Sequence, residues 1–149
     1  MLGASFAGRG NGGNPKPAPD YTKLTWSNPQ PQGNTPYATW RAPSGDTFAV
    51  GLMGTILRGN GATWQLMSSG TTADLFDGWG SSATYVYAVG GDSPPGFPGY
   101  DGVVFHYDGS TWSEVRRYPQ SGAMQTVWGA SATDVFLAGE GGSVMRWRP

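Results

Sequence analysis

The chain has 149 residues and a mass of 15.7 kDa, which suffices for one domain with a core but not for two catalytic lobes. It contains no Cys, a single His, and 9 basic against 10 acidic residues, for a net charge of −1. This composition excludes disulfides, thiolate metal sites and His-cluster metal sites, and it offers no cationic surface for nucleic acid or anionic lipid.

The first twenty residues form a Gly/Pro-rich arm. They hold five Gly and three Pro with almost nothing to bury, so residues 1–20 are predicted to be a flexible arm outside the folded core. The start lacks the basic flank and the apolar stretch of a signal peptide, and no apolar run approaches the length of a spanning helix. We therefore expect no membrane insertion, no signal peptide within this chain, and no cofactor.

From residue 21 onward one pattern recurs three times, and each unit begins at a Trp. The Trp is followed by an apolar run that ends in Gly, a second apolar run, a turn, and the dipeptide Thr-Trp. The distances between successive unit starts are 39 and 49 residues, the second lengthened by an insertion at 91–101. A period near 39 is close to the length of a four-stranded propeller blade. The unit starts are Trp40, Trp79 and Trp128.

The third unit stops before its Thr-Trp step, and the missing step occurs at the other end of the chain as Thr25-Trp26. The spacing from this step to the next unit start is 14 residues there, against 15 and 16 in the other units. We therefore predict three four-stranded blades with circularly permuted termini. Their repeats lie around 40–78, around 79–127, and at 128–149 plus 21–39.

The local sequence predicts short strands and tight hairpins throughout 21–149. The runs between turns are rich in β-branched and aromatic residues and show no sustained helical period. Asn60-Gly61 and Asp108-Gly109 each precede a Thr-Trp step, and both dipeptides favour a two-residue type I′ hairpin. Nearly continuous apolar runs indicate blades that are covered on both faces.

The Trp-Gly-Ser-Ser-Ala-Thr-x-Val-Tyr-Ala-Val-Gly signature at 79–90, with Tyr-Asp-Gly-Ser-Thr-Trp at 107–112, resembles a family of bacterial propeller repeats. That family is distantly similar to the Asp-box repeats of sialidases. The resemblance covers roughly residues 21–149 and implies a β-propeller, usually with more than three repeats and often secreted or at the cell surface. Asp108 and its equivalent Asn60 lie one residue closer to Thr-Trp than the Asp of a true Asp box. The resemblance implies no particular ligand.

Three blades do not close a ring, because propellers typically close with about four to eight. The permuted strand suggests that residues 22–27 of one chain complete the last blade of another by pairing with 143–148. Two chains of three blades would then form a six-bladed homodimer. The alternative is that the sequence is a piece of a longer array.

The insertion at 91–101 is the least repeat-like part of the blades, and long loops on rigid scaffolds commonly bind ligands. Asp92, Phe97, Tyr100 and Asp101 combine carboxylates with aromatic rings, a mixture suited to sugar hydroxyls and ring faces. A stiff decoration or a dimer contact is the alternative. Trp147 is a further candidate, because its equivalents in the other units are not Trp, although a packing role is the simpler interpretation. The recurring Trp residues are interpreted as packing between blades.

Three potential cations occupy one equivalent strand position: Arg58, His106 and Arg146. In a six-bladed ring they would form an anion-binding rim, while the alternative is that each pairs with a local carboxylate or carbonyl. No catalytic residue is assigned, because His106 lacks a nucleophile with a supporting motif and the carboxylates cannot be placed opposite one another.

These observations favour a non-enzymatic, oligomeric propeller with repeated shallow sites, for which a carbohydrate is the candidate ligand. One alternative is a protein-interaction or structural scaffold. Another is a fragment of a larger propeller hydrolase whose catalytic residues lie partly in other blades.

Overall fold

The structure, a computed structural model, describes residues 33–148 as an all-β chain. The predicted arm at 1–20 and the predicted exchange strand at 22–27 lie outside the described residues. The strands form three sheets, whose first strands begin four or five residues before Trp40, Trp79 and Trp128. Blade 1 contains β1 (Pro36–Arg41), β2 (Thr47–Gly51), β3 (Ile56–Gly59) and β4 (Trp64–Met67); blade 2 contains β5 (Asp74–Ser82), β6 (Tyr85–Asp92), β7 (Asp101–Tyr107) and β8 (Trp112–Tyr118); blade 3 contains β9 (Met124–Ser131), β10 (Asp134–Gly139) and β11 (Val144–Trp147).

Each sheet is an antiparallel meander in which strands that follow one another in the chain are paired. The orders are β1-β2-β3-β4, β5-β6-β7-β8 and β9-β10-β11, so the described part of blade 3 has three strands. This arrangement is consistent with propeller blades. None of the helical segments within 33–148 is long and apolar enough to cross a membrane.

The turns before the Thr-Trp steps lie where the sequence predicted them, but their type differs. Each loop has four residues, 60–63 and 108–111, and only its Gly has a positive φ, +90° at Gly61 and +97° at Gly109. The side chain at the first position explains the difference. Asn60 Oδ1 accepts hydrogen bonds from the N–H groups of Ala62 and Thr63 and so caps the loop itself. The prediction of two-residue type I′ hairpins is therefore wrong.

Alternate residues of each strand point to opposite faces of its blade, and the two faces meet different neighbours. We call the face that carries Trp40, Trp79 or Trp128 the front face and the opposite one the back face. The front of blade 1 packs on the back of blade 2, and the front of blade 2 packs on the back of blade 3. Blade 2 is thus covered on both faces, as its nearly continuous apolar runs predicted. The first contact includes Phe48, Val50, Ile56, Val86, Ala88, Val103 and Phe105; the second includes Tyr87, Val89, Val104, Val127, Val135 and Leu137.

Both contacts repeat one detail, an indole that lies against a glycine of the next blade. A Cβ on Gly80 would lie 2.9 Å from Cη2 of Trp40, and a Cβ on Gly129 would overlap the ring of Trp79. The glycines let the indoles approach the neighbouring backbone closely. Trp40 and Trp79 therefore serve the packing between blades.

Candidate functional site

The insertion between β6 and β7 is tied to the rest of blade 2 and to the start of blade 3. The carbonyl of Tyr100 accepts a hydrogen bond from the N–H of Gly122 at 3.0 Å, and Asp101 Oδ1 accepts one from the N–H of Gln120 at 2.9 Å. Asp101 is buried, with 8% of its surface exposed. The insertion therefore leaves the sheet from an anchored base.

Arg117 lies at the centre of this base and binds three carboxylates. Its guanidinium donates to Glu114 at 2.7 Å, to Asp92 at 2.9 Å and to Asp101 at 3.4 Å. The hydrogen bonds with Glu114, and after them those with Asp92, raise the pKa of Arg117. Asp92 and Asp101, which the sequence analysis selected as ligand candidates, are thus already engaged in an ion-pair network within the protein.

Two of the four predicted ligand residues of the insertion share a cleft, and the other two lie outside it. Asp92 and Tyr100, together with Asp74, line an opening of about 230 Å³ at the junction of blades 1 and 2. Phe97 and Asp101 are not on its wall. The Tyr100 ring lies over Gly91, where a Cβ would be 2.9 Å from Cδ1 of the tyrosine. Only part of the ring is therefore free to contact a ligand.

Trp147, the fifth ligand candidate, lies elsewhere, between blades 2 and 3. Its Nε1 donates to the hydroxyl of Tyr87 at 3.4 Å, and the hydroxyls of Tyr85 and Tyr87 are 3.1 Å apart. Burial, and after it the hydrogen bond with Tyr85, raises the pKa of Tyr87. The indole thus takes part in a polar contact between blades, which matches the packing interpretation.

His106 belongs to the same contact. Its ring centroid is 4.2 Å from that of Tyr85 and 4.8 Å from that of Tyr87. Its Nε2 is buried and has no hydrogen-bond partner among the described residues. Burial lowers the pKa of His106, which disfavours the charged form that a rim cation would need.

At the equivalent positions of blades 1 and 3 the arginines pair with local carboxylates. Arg58 Nε donates to Asp46 at 3.2 Å, and Arg146 Nε donates to Asp134 at 2.5 Å. The hydrogen bond from Arg146 lowers the pKa of Asp134. These contacts match the alternative of local pairing. Blade 2 places His106 beside Tyr85 where the other blades place Arg beside Asp.

A cleft of about 650 Å³ was not identified from the sequence. It lies beside the connection between β2 and β3, the end of β4 and the connection that leads to blade 2. Met53 and Leu66 flank it with 58% and 55% of their surfaces exposed, whereas Thr55 and Ser69 are buried at 4% and 7%. None of the described residues that line it is charged: Asn34, Met53, Gly54, Thr55, Leu66, Met67, Ser68, Ser69, Gly70, Thr71 and Thr72.

Met53 has an unusual backbone conformation for an exposed methionine. Its φ of +53° lies in the left-handed region, and the equivalent residue of blade 3 is Gly141 with a φ of +67°. The N–H of Met53 donates to Asp74 Oδ1 at 2.9 Å, which helps to hold this conformation. Strained residues of this kind concentrate at functional sites. A comparison of Leu52-Met53-Gly54 with Glu140-Gly141-Gly142 would have revealed this position from the sequence.

No protein-family model matches this chain, and no curated protein matches it in sequence. Among solved structures the chain is similar to one described as "YCF48 bound to D1 peptide", with a TM-score of 0.62 and 15% sequence identity. The match covers 78% of this chain and 37% of that chain. The similarity shows a β-propeller type of fold. Within residues 33–148 no group of three or more His, Asp or Glu side chains could hold a metal ion.

Proposed function

We propose that this chain is a non-enzymatic propeller module that binds a peptide segment of another protein in the cleft of blade 1. The observation that carries the proposal is the cleft itself, in which the exposed side chains of Met53 and Leu66 flank a floor that includes the hydroxyls of Thr55 and Ser69. Exposed apolar side chains around a concave surface are typical of binding sites. The absence of charge from its lining favours an uncharged segment with an apolar side chain.

The position of the cleft fits a peptide in extended conformation. It lies beside β4, which is at the edge of the blade 1 sheet in the described chain. An edge strand offers unpaired backbone groups to which an extended peptide can add as a further strand, while pockets select alternate side chains. Met53 and Leu66 are suited to contact such a side chain.

The solved structure of YCF48 supports the class of partner, since that propeller protein is described as bound to a peptide. At 15% identity the similarity concerns the fold, and it assigns no site on this chain. The peptide proposal therefore rests on the cleft and not on the comparison.

Selection from a displayed library of random peptides tests the proposal, with enriched peptides titrated by fluorescence anisotropy. We expect Met53→Gly and Leu66→Ala each to weaken binding about tenfold, equivalent to about 1.4 kcal/mol. Val115→Ala is the matched control, because Val115 is an exposed apolar residue of β8 outside the cleft. Enriched peptides that bind both cleft variants as well as the natural chain would contradict the proposal.

Carbohydrate binding is the second candidate, because Asp92 and Tyr100 share the smaller cleft. A glycan array probes it directly, with Tyr100→Ala and Phe97→Ala compared against the natural chain. Glycan binding that disappears in Tyr100→Ala would favour carbohydrate binding. An array without signal would contradict carbohydrate binding and leave peptide binding as the one candidate.

The assembly and location of the module remain predictions. The repeat count predicts a six-bladed ring of two chains, and the resemblance to exported propeller repeats predicts a secreted or cell-surface protein. Light scattering after size exclusion measures the absolute mass, for which the two-chain ring requires twice the chain mass of 15.7 kDa.

A further inference from the structure

The front face of blade 3 is uncovered in the described chain. Trp128 has 59% of its surface exposed and Val144 has 75%, and Phe136 lies on the same face. In blade 1 the equivalents of Phe136 and Val144 are Phe48 and Ile56, which are buried at 1% and 0% by blade 2. The same set of residues is therefore covered in one blade and open in the other.

The two contacts between described blades show what can cover such a face. In each of them the covering blade carries glycine directly after its own Trp, at Gly80 and Gly129. A Cβ at Gly80 would lie 2.6 Å from the carbonyl oxygen of Tyr85 as well as 2.9 Å from Trp40, so neither side can yield easily. A blade that covers a front face carrying a Trp therefore requires glycine directly after its own Trp.

Blade 1 does not meet this requirement. Its residue after Trp40 is Arg41, which is exposed and donates from Nε to the carbonyl of Gly45 at 3.3 Å. Its back face also carries Thr47 where blades 2 and 3 carry Val86 and Val135, both fully buried. The back of blade 1 is thus bulkier and more polar than the two back faces that do cover an indole.

The centre of that back face also differs in exposure. Ala49 and Leu57 point away from blade 2, yet only 4% and 3% of their surfaces are exposed. The front of blade 3 and the back of blade 1 therefore differ in exposure as well as in shape. Two copies joined by these faces would place Trp128 of each chain against Arg41 of the other.

We propose that the front face of blade 3 docks the next blade in ring order, a blade of this repeat type with glycine at the position of Gly80 and Gly129. The occupant continues the two contacts already present, since both join blades that are consecutive in the chain. This inference is an alternative to the two-chain ring predicted from the repeat count, and it does not depend on the peptide cleft.

The first measurement is the absolute mass of the natural chain across a range of concentrations, together with hydroxyl-radical footprinting of Trp128. We expect a mass of one chain and an oxidation rate for Trp128 that exceeds the rate for Trp79, its equivalent in blade 2. A stable species of twice the chain mass in which Trp128 is protected would overturn the proposal in favour of a second copy.

The second measurement supplies the proposed occupant. A copy of residues 108–147 is joined directly after Trp147, so that it provides the outer strand of blade 3 and the first three strands of a fourth blade. The copy contains Trp128→Phe, which lets the footprint report only the original Trp128. We expect the oxidation rate of Trp128 to fall to that of Trp79.

The matched control is the same extension with Gly129→Arg in the copied segment. We expect Trp128 to remain as exposed there as in the natural chain, while an unchanged rate for Trp79 verifies that the original blades are folded. Equal protection by both extensions would overturn the requirement for glycine. Protection by neither would overturn the docking surface itself.

Discussion

The glycine that receives an indole predicts a specific loss of stability. Gly129 has no positive φ, so its backbone conformation accepts alanine, and the cost of Gly129→Ala arises from space alone. The added Cβ would overlap Cη2, Cζ3 and Cζ2 of Trp79, a rigid ring held between two blades. Because the ring cannot move without opening the contact, the substitution forces blades 2 and 3 apart.

The magnitude follows from two opposing contributions. Overpacking a close contact costs about 1–3 kcal/mol. Replacing a strand glycine by alanine stabilises by about 0.5–1 kcal/mol when nothing clashes. We therefore expect Gly129→Ala to lower the free energy of unfolding by about 1–2 kcal/mol, after the smaller gain is set against the larger cost.

Gly78→Ala is the matched control, since Gly78 also lies in a first strand and faces the preceding blade. Its Cβ would meet the carbonyl of Tyr87 at 3.4 Å and Val50 at 3.6 Å, which are ordinary contacts. Urea unfolding followed by tryptophan fluorescence should show Gly78→Ala to be neutral or stabilising. Equal effects of the two substitutions, or a cost at Gly129 that Trp79→Phe does not reduce, would refute the reasoning.

Three further predictions concern single side chains. Met53→Gly should be about 0.5–1 kcal/mol more stable in urea than Met53→Ala, because the left-handed penalty that glycine avoids exceeds the extra conformational entropy that glycine loses on folding. Equal stabilities would mean that the backbone there is unstrained. The free energy of unfolding should fall as the pH drops below about 6.5, since burial lowers the pKa of His106 in the folded state and the unfolded chain binds the proton first. In His106→Phe this part of the pH dependence should disappear. If the free energy of unfolding of His106→Phe still falls in the same way, another group causes the pH dependence. Asp101→Asn should lower the free energy of unfolding by about 1–3 kcal/mol and speed amide hydrogen exchange across residues 93–100, because the buried carboxylate accepts hydrogen bonds from Gln120 and Arg117. Unchanged amide exchange would contradict an anchored base of the insertion.

The sequence alone indicated an all-β chain of propeller-type repeats, with one repeat for each of the three described sheets. The hydrophobic runs, turn residues and Trp positions act within about one repeat, so their spacing is visible along the chain. The same locality explains the error at Asn60, where the turn type depends on a side-chain hydrogen bond that the dipeptide rule does not include. It also explains why Met53 was missed, since only an alignment with Gly141 reveals its strain.

Only the tertiary structure decided which side chains are available to a partner. Asp77 Oδ2 accepts hydrogen bonds from Thr126 Oγ1 at 2.7 Å and from the Val127 N–H at 2.9 Å. These two donors lie 49 and 50 positions further along the chain. Such contacts arise when two blades meet, and no spacing within one repeat encodes them. Within blade 2 the folded strands pair Asp92 with Arg117, burial disfavours the charged form of His106, and no described blade covers Trp128, because each result depends on what the neighbouring strand or blade presents.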